Sequence, residues 1–187
     1  MPIVEAHVLE GYAPTEKSRL LEALTNAIRF VVPAPAEAVT VLLHEYPADS
    51  YARGGVQRQP APALPDPAQV VRAYLSAMEE RDLAAAQALL GADFCMVFPG
   101  TAPMRTLSEL VDWAAGRYRF VRKTYDEVEA FHAGGVNVVY TRGTLSGQWP
   151  DGSSFEGIRF VDRFELSGDK IIRQDVWNDI AEMRPHG

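Results

Sequence analysis

The sequence predicts an α+β protein made of two units joined by a proline-rich linker. Three observations carry this reading. Residues 2–45 read strand, helix, strand. Four prolines fall within residues 60–67. Beyond them, helices come first and long alternating strands after, the order that builds an α+β layer and here a cone with a curved antiparallel sheet. The units read as residues 1–58 and 67–187, with 59–66 as linker.

The first strand runs from Pro2 to Gly11. A helix follows, with Leu20, Leu21, Leu24, Ile28 and Val31 at helical spacing. Val39-Thr40-Val41-Leu42-Leu43-His44-Glu45 is a near-continuous apolar run, which suits a parallel strand covered on both faces. Tyr51-Ala52-Arg53-Gly54-Gly55 closes the unit as a turn. Pro2 has its own chemistry. Once Met1 is removed, its nitrogen becomes a secondary amine. A free α-amino group has a pKa of roughly 7.7–8.0, and burial in an apolar site lowers it. A drop of about one unit leaves it neutral near pH 7, where a general base works best.

The prolines of the linker favour an extended, semi-rigid segment. Asp66-Pro67 reads as an N-cap followed by a proline at the first helical position. Val70, Val71, Tyr74, Leu75 and Met78 then share one helical face. A short helix spans 83–90, and Phe94 to Phe98 forms a strand ended by Pro99-Gly100. Thr106-Leu107-Ser108-Glu109 has the form of a capping box and opens a helix carrying Leu110, Val111 and Trp113. Residues 136–140 and 155–164 alternate as long strands, and Ser167-Gly168-Asp169 turns into a last strand at 170–177.

Composition excludes several classes of function. The 187 residues carry a net charge of −7. Residues 1–58 hold five basic and seven acidic side chains. No basic stripe exists, so nucleic acid is not an expected partner. The single cysteine, Cys95, forbids an internal disulfide, and its apolar neighbours predict a buried structural thiol. No apolar run approaches the ~20 residues of a membrane span, so no membrane partner is expected. The N-terminus has no signal-peptide pattern, and the protein is read as cytoplasmic. His7 and His44 sit on strands with nothing pairing them at metal spacing, and His132 precedes a surface Gly-Gly turn. No metal, zinc motif, phosphate loop, Ser-His-Asp set or organic cofactor is expected.

Residues 2–58 resemble the 4-oxalocrotonate tautomerase family. Pro2-Ile3, His7-Val8-Leu9-Glu10-Gly11 and Gly54-Gly55 fall in register with it. The resemblance makes Pro2 the catalytic proline. The two arginines that hold a dicarboxylate in the best-known members fall here on Tyr12 and Thr40, and a family aromatic falls on Tyr51. The base is kept and the anion clamp is lost. Arg53 is a candidate replacement cation; the alternative is a solvated loop arginine. A βαβ unit this small buries too little surface alone, and members of the family are oligomers, so a homo-oligomer is expected.

Residues 67–182 resemble the nuclear-transport-factor-2-like superfamily, above all its SnoaL-like polyketide cyclase branch. Val70-Val71-Arg72-Ala73-Tyr74, Glu80-Arg81-Asp82-Leu83, Phe98-Pro99-Gly100 and the pair Val161-Asp162 with Gly168-Asp169-Lys170-Ile171 carry the resemblance. Ketosteroid isomerase shares that superfamily and builds an oxyanion hole from a tyrosine and a protonated carboxylic acid. Those positions fall on Tyr74 and Asp162, while its aspartate base falls on Phe98. Tyr74 is thus a pocket donor or a core aromatic. Asp162, on an apolar strand, must be paired, protonated or functional, with Arg142, Arg159 and Arg173 as candidate partners. Trp113, Tyr118, Trp177, Asp175 and Asp179 complete the candidate pocket wall.

Two functions follow as expectations. The first is a cofactor-independent isomerase of a small-molecule substrate, with Pro2 as base and Tyr12, Tyr51 and Arg53 around the substrate. The second makes the first unit a silent oligomerisation module and gives the cone a hydrophobic ligand to bind, cyclise or dehydrate.

Overall fold

A computed structural model describes residues 1–183; the last four residues of the second predicted unit lie outside it. The chain separates into two compact units, dividing between Ala63 and Leu64.

In the first unit, β1 (Ile3–Leu9) and β2 (Thr40–Tyr46) pair in parallel from Ile3↔Thr40 to Leu9↔Tyr46. Helix α1 (Pro14–Val31) makes the crossover. It begins with proline at its first turn, and the Glu16 carboxylate accepts the Ala13 N–H at 2.6 Å. Lys17 ties the helix to β2 through Glu45 at 2.9 Å. A short hairpin, β3 (Ala52–Arg53) and β4 (Val56–Gln57), turns through Gly54 and Gly55, whose φ of +59° and +77° favour glycine.

No side chain of this unit is fully buried in the single chain. The expectation that β2 is covered on both faces is corrected: Leu42 is 43% exposed. Two strands with one helix leave the second sheet face open. Phe30, Val31, Ile3 and Val56 are exposed as well.

The second unit opens with α2 (Pro67–Glu79) and α3 (Leu83–Ala88). Asp66 Oδ1 accepts the Ala68 N–H at 2.9 Å, and Asp82 caps α3 through the Ala85 N–H. Next come β5 (Leu90–Val97) and α4 (Leu107–Ala114), where Thr106 and Glu109 cap each other's backbone N–H at 3.2 and 2.8 Å. Strands β6 (Phe120–Ala133), β7 (Val136–Gln148), β8 (Ser154–Ser167) and β9 (Lys170–Asn178) then form an antiparallel meander, and α5 spans Ile180–Met183. The sheet order is β5-β9-β8-β7-β6.

The sheet is mixed rather than wholly antiparallel. The meander sets the direction of β9, and β5 joins its free edge in parallel. Register shifts at Tyr125/Glu127, Leu145/Gly147 and Glu165/Leu166 bend the long strands. At Gly143 and Gly147 a Cβ would run into the backbone oxygens of Thr124 and Phe120, so only glycine permits the close approach of β6 there.

The main core lies between α2 and the concave sheet face, with Val71, Tyr74, Met96, Phe164 and Ile171 fully buried. Leu145, Trp149, Phe155, Ile158 and Phe160 form a second core. Cys95 is half-buried rather than buried, because Phe94 and Met96 take the inward positions of β5. Among the described residues no helix is long and apolar enough to cross a membrane.

Candidate functional site

Pro2 lies at the start of β1, half-buried, with its carbonyl accepting the Thr40 N–H at 3.0 Å. Thr40 therefore stands beside Pro2, and its side chain brings no charge. Tyr12, Tyr51 and Arg53 collect elsewhere. They line an open basin beyond the other end of β1, together with Tyr46 and Arg58. Seven residue steps along a strand at about 3.3 Å each separate Pro2 from Leu9, roughly 23 Å. One copy of the unit therefore does not bring its proline to its own basin. Arg58 was not singled out from the sequence. It belongs with Arg53 because the β3–β4 hairpin folds residues 52–57 back on themselves.

The same sheet corrects the reading of the histidines. Glu5, His7 and His44 place one ligand atom each within 4.8 Å of the others. Parallel pairing puts His7 opposite His44. Their rings stack at 4.7 Å with planes 14° apart. His7 Nδ1 lies 3.0 Å from the Tyr46 hydroxyl, and His44 Nε2 lies 3.9 Å from Glu5 Oε2. Stacked near-parallel rings keep their in-plane nitrogen lone pairs in separate planes.

The cone holds a half-open cavity of about 160 Å³ between α2, α4 and the concave sheet face. Tyr74, Phe98 and Tyr118 line it, and so do Lys123 and Gln174. Trp113, Trp177 and Asp162 do not. Trp113 packs at a tilt of 57° against Phe98, with centroids 5.2 Å apart, and carries the Arg117 guanidinium at 4.2 Å, facing a separate groove near Ile180. Trp177 is 54% exposed, because Gln174 and Val176 hold the inward positions of β9. Asp175 and Asp179 are also outside the cavity wall: Arg173 holds the first at 2.8 Å and Arg159 the second at 2.6 Å.

Asp162 is fully buried, and its partner is Lys123 rather than any of the three expected arginines. Strand parity explains the difference. Ile158, Phe160, Asp162 and Phe164 point inward from β8, so Arg159 points outward. Arg142 pairs with Glu127 across the outer face. Lys123 stands opposite buried Leu145 on β6, facing inward, and its Nζ bonds Asp162 Oδ2. Burial pushes the Asp162 carboxyl upward, while the ammonium and Gln174 pull against it. Asp162 Oδ1 and its register neighbour Thr141 Oγ1 make no hydrogen bond.

Tyr74 and Tyr125 lie close enough to feel the Asp162 charge, and Tyr118 shares the cavity wall with Lys123. The Tyr74 hydroxyl donates to Gln174 Oε1 at 3.1 Å. Burial, then the Asp162 charge, holds the Tyr74 and Tyr125 hydroxyls above their ordinary range. Burial does the same to Tyr118, against Arg117 and Arg81. All three remain protonated donors. Phe98 brings an apolar ring to its part of the wall, and Glu79 is a carboxylate that lines the same cavity.

Comparison with known proteins divides the chain in the same way. Residues 2–58 match the model of the tautomerase enzymes, and residues 71–174 match that of the SnoaL-like domain. A probable tautomerase of Staphylococcus epidermidis is 34% identical over 58 residues, covering 31% of this chain and 95% of that protein. A 2-hydroxymuconate tautomerase of Comamonas testosteroni is 32% identical over 56 residues, covering 30% of this chain and 89% of its own. A solved protein of NTF2-like fold and unknown function from Burkholderia pseudomallei superposes with a TM-score of 0.53 at 21% identity, covering 62% of this chain and 92% of its own. Another from Burkholderia thailandensis gives 0.51 at 23% identity, covering 65% of this chain and all of its own.

Proposed function

Since the chain belongs to the tautomerase family through residues 2–58 and to the SnoaL-like domain family through residues 71–174, we propose that it is a keto-enol tautomerase whose base is Pro2. The observation that carries this reading is the position of Pro2. It opens β1 at the first residue of the family match, half-buried, and one cleavage frees its nitrogen.

The chemistry needs no cofactor. The neutral Pro2 amine takes a proton from the carbon next to a carbonyl. The C–H electron pair moves into the new C=C bond, and the carbonyl oxygen becomes an enolate. The prolinium then returns the proton, to the oxygen or to another carbon of the conjugated system. Catalysis depends on donors at the developing oxyanion. Tyr12, Tyr51 and Arg53 are the groups of the basin suited to it, with Arg58 beside them.

Because these groups lie beyond Leu9, roughly 23 Å from Pro2 along β1, a second copy supplies them. The half-covered sheet and the exposed Phe30, Val31 and Leu42 give copies an apolar surface to share. The expected solution state is a homo-oligomer joined through residues 1–63. Light scattering at micromolar concentration checks this, and a monodisperse monomer contradicts it.

Substrate charge is the second test. Tyr12 and Thr40 stand where an anion clamp would need arginines. Arg53 and Arg58 issue from one hairpin and suit a single carboxylate. Charge-assisted contacts are strong, so the missing pair is felt most by diacids. Phenylenolpyruvate, a monoacid enol, should have a higher kcat/KM than 2-hydroxymuconate. A higher value for the diacid contradicts the role given to the neutral positions, and turnover of neither overturns the tautomerase reading.

A further inference from the structure

The cone cavity holds a cation that the proline chemistry does not use. Both donors expected at this site are engaged elsewhere: Tyr74 gives its proton to Gln174, and Asp162 is taken up by Lys123. Lys123 is left facing the cavity. Its ammonium has three N–H groups. One goes to Asp162 Oδ2, and the Phe160 ring centroid lies 4.5 Å from Nζ. Among the described residues no other side chain accepts from Nζ, and the side chain is 19% exposed.

We propose that this cavity binds a neutral, single-ring aromatic ketone or aldehyde whose carbonyl oxygen accepts a hydrogen bond from Lys123 Nζ.

Size, wall and charge each support that class. The volume of about 160 Å³ is close to the ~150 Å³ of a dry cavity that takes up benzene. Met78, Leu83, Leu110 and Val111 give the ring an apolar wall. The charge on Lys123 is already balanced by Asp162, whose Oδ1 has no partner. A ligand carboxylate would place a second anion beside that buried one, where low dielectric magnifies repulsion. A neutral carbonyl uses the spare N–H without that cost. Glu79 and Arg81 also line the cavity and oppose each other in sign, so they add no net preference for an anion. This site differs from an oxyanion hole of tyrosine and carboxylic acid, since its donor is a lysine.

Acetophenone, benzoate and ethylbenzene serve as probes, titrated into the full chain by calorimetry at pH 8. Acetophenone should bind at least tenfold more tightly than benzoate. The Lys123→Met/Asp162→Leu double variant removes both charges together and leaves no ion stranded. It should weaken acetophenone at least tenfold while keeping ethylbenzene. Methyl NMR shifts on acetophenone binding should appear at Met78 and Leu110. The proposal is overturned by absence of acetophenone binding, by benzoate binding as tightly, by unchanged affinity in the double variant, or by shifts confined to residues 1–63. If the double variant does not fold, the wild-type probe comparison and the methyl shifts decide.

Discussion

Pro2→Ala in the processed protein should lower enol-keto turnover by a factor on the order of 10²–10⁴, the usual worth of a positioned general base. Alanine keeps an N-terminal amine but loses the pyrrolidine ring that fixes the orientation of the nitrogen. The fold should survive, because Pro2 contributes only its carbonyl to the sheet, through the Thr40 N–H. A steady-state ketonisation assay with circular dichroism as the folding control checks this. Unchanged turnover in a folded variant removes Pro2 from the mechanism.

Asp162→Asn should give the largest change in stability. The substitution leaves the Lys123 ammonium without its carboxylate inside the cone, and breaking a buried pair costs about 3–5 kcal/mol. The lower end is expected, since Lys123 still reaches the cavity. Urea denaturation measures the loss as a fall in midpoint at unchanged slope. Lys123→Met/Asp162→Leu, which strands no charge, should be much less destabilised than Asp162→Asn. An Asn variant as stable as wild type would mean that the pair does not hold the folded state together, and would favour a neutral Asp162.

Much of the architecture was legible because local signals agreed with the fold. Pro14 to Val31 carries its apolar residues at helical spacing, Thr40 to Tyr46 is a short apolar run, and Asp66-Pro67 and Thr106 to Glu109 are capping signals whose hydrogen bonds form. The site was legible only where one strand or helix decides the matter. Tyr74 faces the cavity from the helix predicted for it, and Phe98 from the position just after β5. Lys123 was missed because its meaning depends on a partner 39 residues away. The signal was present in the alternation of Val121, Lys123 and Tyr125, which shares its parity with the inward face of β6. Trp113 and Trp177 were misplaced for the opposite reason: aromatic character does not report facing, and β9 turns Trp177 outward. The parallel edge pairing of β5 with β9 is set by the whole meander, and residues 90–97 contain no local sign of it. The histidine stack likewise arises from register between strands 37 residues apart, His7 and His44.

The most direct measurement concerns the nitrogen of Pro2. Two preparations of the same chain, one with Met1 removed and one retaining it, are distinguished by intact mass and assayed for phenylenolpyruvate ketonisation. The chain with a free Pro2 should turn the enol over, and the chain whose proline nitrogen is still in a peptide bond should match the uncatalysed rate. Equal rates in the two preparations, or an uncatalysed rate in the processed one, would contradict a proline-based tautomerase.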